Sequence, residues 1–347
     1  MSKINIAIIG CGKHFEDFHL PSFKRLKRHI SISGIFDINL KRSKYISNKY
    51  KIKRIYNSIS ELLKDKNVNT VDICSPPVFH FKQIIDSIKF KKNIIVEKPF
   101  VLKKSQINKI INLSKKTNLK IMCLLHSRFR VETKKFCKFL NRKRSKFGKL
   151  FLIEAVANYS NGIPKQINNS FTDIKIAGGG PLLDHGSHLL DLVLFFFKFD
   201  KYKIKSSFFF KNFFKKKKLV YNVEEMAIVH ALFNKKTLLK FETSYLSHKK
   251  KDDFYINFHF ENGFLTWPTL EYKLNNTNNF IKFKNKQKAS DVQFLHFVDC
   301  VVNNKNPDID LLDIKKLVIL IEKFYKKGTY INNYDKNNKQ MFIKKRS

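Results

Sequence analysis

The chain holds 347 residues, enough for about two domains, and at 43% hydrophobic and 14% aromatic it can bury real cores rather than stay disordered. Lys and Arg number 69 against 28 Asp and Glu, a formal charge of +41 that would ordinarily point to a polyanionic partner. The excess is mostly lysine, spread along the whole chain with abundant Asn, Ile and Phe, residues whose codons are rich in A and T. Compositional bias therefore accounts for the charge. With no zinc-finger or RNP-type motif, nucleic acid is not expected as a partner. The five cysteines, Cys11, Cys74, Cys123, Cys137 and Cys300, are scattered and form no CxxC, which suits reduced thiols better than a disulfide scaffold or a zinc site. The apolar run at 4–12 is too short for a membrane span and lacks a signal-peptide core. The longest apolar tract, 182–197, is broken by Asp184, His188 and Asp191, so a cytoplasmic protein with no membrane partner is expected.

In chain order, residues 4–9 form an isoleucine-rich run with the length of a buried parallel strand. Gly10 and Gly12 follow at once, and a helical pattern continues to Leu26. In a strand, G-x-G turn, helix sequence the first glycine permits the tight turn. The second lets the backbone approach a pyrophosphate, to which the helix N-terminus offers N–H groups. Phe15 stands where a third glycine would allow close helix–strand packing. Residues 30–36 read as a second strand ending at Asp37, the place where a carboxylate would bind a ribose hydroxyl and favour NAD over NADP. Lys41 and Arg42 lie close by and keep NADP open. Residues 58–63 read as a short helix with Ser60 as N-cap.

Residues 71–74 are a further strand, ending in Ser75-Pro76-Pro77; two prolines stop the ladder and fix a loop over the strand's carboxyl end, where open α/β sheets bind ligands. His80 begins a helix to about Ile88. The strand 93–96 leads into Glu97-Lys98-Pro99, with Pro99 biasing Lys98 toward extended backbone. A helix at 106–116 and a strand at 120–125 complete a β-α repetition that indicates a parallel sheet with helices on both faces. Beyond it, 150–159, 226–232, 237–244, 254–260 and 263–267 read as strands without βαβ rhythm, so an antiparallel sheet is expected. Helical patterns at 291–302 and 313–326 follow, then a polar, basic, frayed tail. The low-complexity segment 206–217 reads as a basic strand pair or a surface loop, without assigned chemistry.

One stretch in the second half is unusual. Gly178, Gly179 and Gly180 precede Pro181, well suited to a first helical position, and then Asp184, His188 and Asp191 recur at i, i+4 and i+7 on one helical face. A metal held by Asp184, His185, His188 and Asp191 is not expected, because His185 points to a different face.

GCG after the first strand, SPP, EKP and GGGxLLDxGxHxxD together resemble the Gfo/Idh/MocA family of oxidoreductases, over nearly the whole chain from Ile4 to about Gly328. The resemblance implies an α/β protein. Its parts are an N-terminal Rossmann dinucleotide-binding domain at 1–125, a C-terminal α+β domain with a mainly antiparallel open sheet at 126–330, and a polar tail at 331–347. It makes Gly10, Gly12, Asp37, Ser75, Pro76, Pro77, Glu97 and Lys98 the expected contacts of NAD or NADP. Lys98, Asp184 and His188 become the catalytic residues, with Arg128 and His188 on the substrate side. The implied reaction moves a hydride between the nicotinamide and a secondary alcohol of a sugar, cyclitol or nucleotide sugar, in a homo-oligomer (dimer or tetramer). His188 would take the hydroxyl proton, Lys98 would stabilise the alkoxide, and Asp184 would tune the pair. The glycines would let the chain pass close to substrate and nicotinamide. Asp191 shares the face without a role. His19 falls one residue later than the histidine expected on the first helix. The competing readings are a glycosidase using NAD transiently, and a non-catalytic dinucleotide-binding protein.

Overall fold

The structure is a computed structural model that describes residues 3–347 except 161, 164–168, 214–219, 248, 276, 282–286, 333–341 and 346–347. The chain divides into two compact units, Met1–Phe129 with Gln287–Val318, and Arg130–Lys286 with Ile319–Ser347.

The first unit is built on a five-stranded parallel sheet in the order β2-β1-β3-β4-β5, comprising β1 (Ile4–Ile9), β2 (Ile30–Phe36), β3 (Thr70–Ile73), β4 (Asn93–Val96) and β5 (Ile121–Cys123). Apart from the edge strand β2, its strands are almost wholly buried, as continuous apolar runs in a sheet covered on both faces must be. Five helices alternate with them: α1 (Leu20–Arg25), α2 (Leu40–Tyr50), α3 (Ile59–Lys64), α4 (Pro77–Lys89) and α5 (Lys104–Ser114). The order reverses between β1 and β3, which makes the carboxyl ends of these two strands the switch point where such sheets bind ligands.

Local chemistry sets the helix starts. Asn39 caps α2 by accepting from the Arg42 N–H, and Pro77 occupies the first turn of α4. The cap of α3 is Ser58, not Ser60. Its hydroxyl accepts from the Glu61 N–H at 3.0 Å while the Glu61 carboxylate reaches back to the Asn57 N–H at 2.8 Å, a reciprocal arrangement open to Ser58 and not to Ser60.

The second unit begins with α6 (Val131–Phe147) and β6 (Leu150–Asn158). Three helices follow, α7 (Ile174–Ala177), α8 (Pro181–Asp184) and α9 (Gly186–Phe197). Next come β7 (Tyr202–Lys211), β8 (Met226–Phe233), β9 (Thr237–Ser244), β10 (Asp253–Phe260), β11 (Gly263–Trp267), β12 (Glu271–Leu274) and β13 (Thr277–Phe280). Two helices follow in the chain, α10 (Ala289–Val302), which belongs to the first unit, and α11 (Leu311–Lys326), which spans the division, before β14 (Thr329–Asn332) and β15 (Phe342–Lys345). The ten strands of this unit make one sheet, antiparallel except for the pairs β6–β9 and β7–β14. Period-two burial is clean in β8, where Ala227, Val229, Ala231 and Phe233 are fully covered and the alternate residues are not.

Several details differ from the sequence reading. Residues 287–318, expected with the second half, cluster with the first unit. Ser290 on α10 meets Ser22 at 3.1 Å, Asp291 takes Arg25 in a two-pronged ion pair at 2.7 Å, and Phe294 packs on His19 and Phe23. The single helix expected from Pro181 is two helices, parted at His185. Part of 206–217 lies in β7, and its residues 214–217 fall outside the described chain. Within the expected frayed tail, Phe342–Lys345 pairs antiparallel with β14.

Candidate active site

The site of the first unit starts at the switch point. Gly10 has φ +93°, and a Cβ there would lie 2.8 Å from the Ser75 nitrogen, so only glycine lets β1 turn this tightly against the end of β3. A Cβ at Gly12 would meet nothing within 4 Å. That open space over the start of a helix is what a pyrophosphate needs. The helix opens with a π turn, Phe15–His19, before α1. Phe15 is fully buried and packs edge-on against His19. A π turn takes up one residue more than an α turn, and this one runs from Phe15 to His19.

Asp37 stands beside the turn as expected. Its carboxylate accepts from the Cys11 N–H at 2.9 Å and the Asn39 N–H at 2.9 Å. Arg42, which the sequence left open as a ligand for a 2′-phosphate, is already engaged. Its guanidinium donates to the carbonyls of Cys11 at 2.9 Å and Gly12 at 3.1 Å and to Glu16 at 2.6 Å. Lys49 and Tyr50 also donate to Glu16, at 2.9 and 2.7 Å. Burial alone would raise the Glu16 pKa, but these three donors bring it down to about 2. Burial, then Asp37, pushes the Cys11 thiol up to about 12, which leaves it a poor nucleophile.

At the end of β3, the Ser75 hydroxyl donates to Gln83 at 2.6 Å, Pro76 precedes α4, and Pro77 opens it. At the end of β4, Glu97 is the hub of a buried cluster. Its Oε1 lies 2.8 Å from His19 Nε2 and 3.1 Å from His14 Nε2, and its Oε2 accepts from the Lys98 N–H at 3.1 Å. His19 Nδ1 meets Asp72 Oδ2 at 2.8 Å. Burial opposes charge on His19, but Asp72 and then Glu97 outweigh it and raise its pKa to about 10. Burial would also raise Glu97, yet His14 and His19 hold it well below the usual carboxylate range. His14, His19 and Glu97 offer ligand atoms within 4.8 Å of one another, close enough for a metal ion. In this structure they form an ion-pair cluster, in which the His19 ring bridges Asp72 and Glu97 through its two nitrogens. Lys98 is half-buried beside it. Arg128 is buried, with Nη1 2.7 Å from Asp313 Oδ2.

In the second unit the three glycines serve packing. Gly178 ends α7 at φ +79°. A Cβ on Gly180 would lie 2.1 Å from the Glu224 carbonyl oxygen. These contacts are internal to the unit and give the glycines a packing reason as well. Asp184 is buried and accepts from the Tyr245 hydroxyl at 2.8 Å, with His185 Nε2 at 3.2 Å from the same oxygen. Burial, then Asp184, raises the Tyr245 pKa well above its usual value, so the phenol stays a donor. His188 and Asp191 are buried on α9. His185 keeps helical angles (φ −83°, ψ −38°), so Asp184 and His188 remain about one turn apart despite the break.

Tyr245, Asp72 and the functional side of His19 and His80 are not legible as site residues in the sequence. Tyr245 follows β9 with no motif, and Asp72 sits inside an apolar strand, where the one signal is an acid in a place that should be apolar.

Comparison with known proteins agrees with this geometry. Residues 4–124 match the model of the oxidoreductase family with an NAD-binding Rossmann fold, Gfo/Idh/MocA, and residues 143–266 match the C-terminal domain of the same family. Among curated relatives, D-glucoside 3-dehydrogenase of Escherichia coli is 21% identical over 313 residues, 87% of this chain and 88% of the relative. Myo-inositol 2-dehydrogenase of Thermotoga maritima is 26% identical over 197 residues, 54% of this chain and 53% of the relative. A 3-ketoreductase from Actinomadura kijaniata, crystallised with NADP and TDP-benzene, shares the fold at a TM-score of 0.81 and 13% identity, covering 95% of this chain and 99% of that one. UDP-N-acetylglucosamine 3-dehydrogenase from Acidithiobacillus ferrooxidans does so at 0.74 and 16%, covering 93% and 97%. With both halves matched, the chain belongs to the Gfo/Idh/MocA family of NAD(P)-binding oxidoreductases acting on CH–OH groups.

Proposed function

We propose that this chain moves a hydride between a nicotinamide dinucleotide and a secondary alcohol or ketone of a sugar, cyclitol or nucleotide sugar. The observation that carries the reading is the switch-point turn. Gly10 is pressed onto Ser75, Gly12 is open, and Asp37 and Lys98 stand at the carboxyl ends of β2 and β4, on either side of the switch point. The relatives named above, three named for the 3-position and one for inositol, support the substrate class. When bound, the nicotinamide supplies the hydride acceptor or donor. Gly10 and Gly12 shape the phosphate turn. Ser75, Pro76, Pro77 and Glu97 form the backbone around the strand ends on the nicotinamide side. His188 removes the hydroxyl proton, Lys98 stabilises the developing alkoxide, and Asp184, fixed by Tyr245, orients and tunes the imidazole. Arg128, its guanidinium fixed by Asp313, contributes to the substrate side.

NAD is preferred over NADP in this reading. Asp37 would repel a 2′-phosphate, and Arg42 is committed to Glu16 and the turn. A homo-oligomer formed through the less covered face of the large sheet, where Phe151 and Leu238 are exposed, completes the proposal. The test is a screen of methyl α-D-glucoside, myo-inositol and UDP-N-acetylglucosamine, each with NAD and NADP, read at the nicotinamide absorbance. Reduction of cofactor by one of them supports the reading. Hydrolysis of the glucoside without net NADH, or no dinucleotide binding at millimolar concentration, overturns it.

A further inference from the structure

Lys98 lies just past the last rung of β4, where the Glu97 N–H bonds the Ile73 carbonyl at 2.9 Å and sheet hydrogen bonding to β3 stops. A lysine that must meet a reacting oxygen needs its backbone fixed to within a fraction of an ångström, and strand ends do not supply that by themselves. Two buried histidines flank it. On one side His19, 2% exposed, bonds the Glu97 carboxylate at 2.8 Å, and that carboxylate in turn accepts the Lys98 N–H. On the other side His80, fully buried, has Nδ1 2.9 Å from the Pro99 carbonyl and Nε2 2.8 Å from the Ser75 carbonyl.

We propose that His19 and His80 are positioning residues for Lys98: one fixes the residue before it through Glu97, the other ties the residue after it to the Ser75 loop. This rests on the reading of Lys98 as the group beside the nicotinamide. Neither histidine comes from the Lys98 strand. His19 comes from the helix that follows the phosphate turn, and His80 from α4, so the clamp joins three βα loops of the switch-point edge. His19 can hold both carboxylates at once only as an imidazolium, with an N–H on each nitrogen. Asp72 is fully buried and its Oδ1 has no hydrogen-bond partner among the described residues, so the 2.8 Å bond from its Oδ2 to His19 is what compensates its burial. The groups facing His19 are Asp72 from β3, Glu97 from the end of β4 and His14 from its own helix, with Phe294 of α10 against the ring face. His80 differs. Burial lowers its pKa, and a neutral ring donates to one of its two carbonyls at a time, so it acts as a bridge between loops rather than as a charge.

The test uses the full-length protein, NADH and acetic anhydride. Acetylation of Lys98 is followed by peptide mass mapping with and without saturating NADH, and NADH binding is measured separately by nicotinamide fluorescence. In the wild type, NADH slows Lys98 acetylation about fivefold or more. In His19→Gln, which retains one donor and loses the charge, and in His80→Leu, NADH still binds within about threefold of wild type while protection of Lys98 falls below about twofold. His80→Gln, whose amide returns an N–H to a carbonyl, regains at least half of the protection. A purely structural role would change thermal stability and NADH affinity together and would not uncouple Lys98 protection from binding. Full protection in both loss variants, with NADH bound, overturns the positioning role and leaves the reading of Lys98 intact. No protection in the wild type overturns the reading of Lys98 itself. If His19→Gln does not fold, His80→Leu, which leaves no buried charge unpaired, decides by the same measurement.

Discussion

At the scale of single residues, the proton-handling assignment makes a direct kinetic prediction. General acid–base groups contribute roughly 10²–10⁴ in rate, so His188→Ala and Lys98→Ala should each reduce turnover about a hundredfold or more while NADH binding, followed by fluorescence, changes little. Turnover near wild type in either variant would remove that residue from the mechanism. Cofactor choice gives a second prediction. Glu16 holds Arg42 on the turn, and Glu16→Gln weakens that hold, so the ratio of kcat/KM for NADP over NAD should rise about tenfold, a change of about 1.4 kcal/mol. An unchanged ratio would show that Arg42 does not control the choice. Gly10, Asp37, Lys98, Asp184 and His188 could be picked out from the sequence because each stands in a short motif at a strand end or on one helix stripe. Arg42 could not be placed. Its sequence neighbourhood suits a phosphate ligand, and the long-range partner that engages it, Glu16, lies 26 residues away on another helix. Tyr245 and Asp72 were hidden for the same reason, since their partners are distant in the chain.

At the scale of elements, the His19–Asp72–Glu97 cluster ties the first helix to two strands, and its stability has a defined pH window. His19 is raised from its usual 6.5 to about 10, so the folded state binds the extra proton and its contribution is complete below 6.5 and lost as the pH rises through about 10. Glu16 and Glu97 work in the opposite sense. Both are held below their usual 4.5, and their contribution is present above that value and disappears on acidification, for Glu16 as the pH falls through about 2. Urea unfolding from pH 6.5 to 10 should therefore show the wild type losing stability faster than His19→Gln, with the two curves converging at the alkaline end. Parallel curves would mean that His19 is not charged in the fold.

The break at His185 and the glycine packing belong to this scale too. Gly180→Ala would drive a methyl into the Glu224 carbonyl and should destabilise the protein by about 1–3 kcal/mol or more, read as a lower urea midpoint. A stability equal to wild type would contradict the packing role. Periodicity located β1–β6 and β8–β11 and most of the helices, because buried faces repeat at the strand or helix period, but it did not mark α2, α6, α7 or β12–β15. It could not see that Gly179 and Gly180 answer to Tyr325 and Glu224, or that the first helix carries a π turn at Phe15, because both depend on neighbours that only the fold supplies.

At the scale of the whole molecule, the residues proposed for the chemistry are divided between two units. The first carries the dinucleotide turn and Lys98, and the second carries Asp184 and His188. The α/β order of the first and the mainly antiparallel sheet of the second were both readable from the change in strand rhythm. Less readable was the return of 287–318 to the first unit, since a helix's periodicity reports that it has a buried face and not which sheet buries it. The high positive charge is not concentrated in the motifs that define the site, and among the described residues no helix is long and apolar enough to cross a membrane. The central claim is hydride transfer, and it is tested most directly by following nicotinamide absorbance when the purified protein is mixed with NAD and methyl α-D-glucoside, myo-inositol or UDP-N-acetylglucosamine. The account predicts steady NADH formation with at least one of them and its loss in His188→Ala. Absence of NADH formation with all three, under conditions where NAD binding is saturated and NADP serves no better, would contradict it.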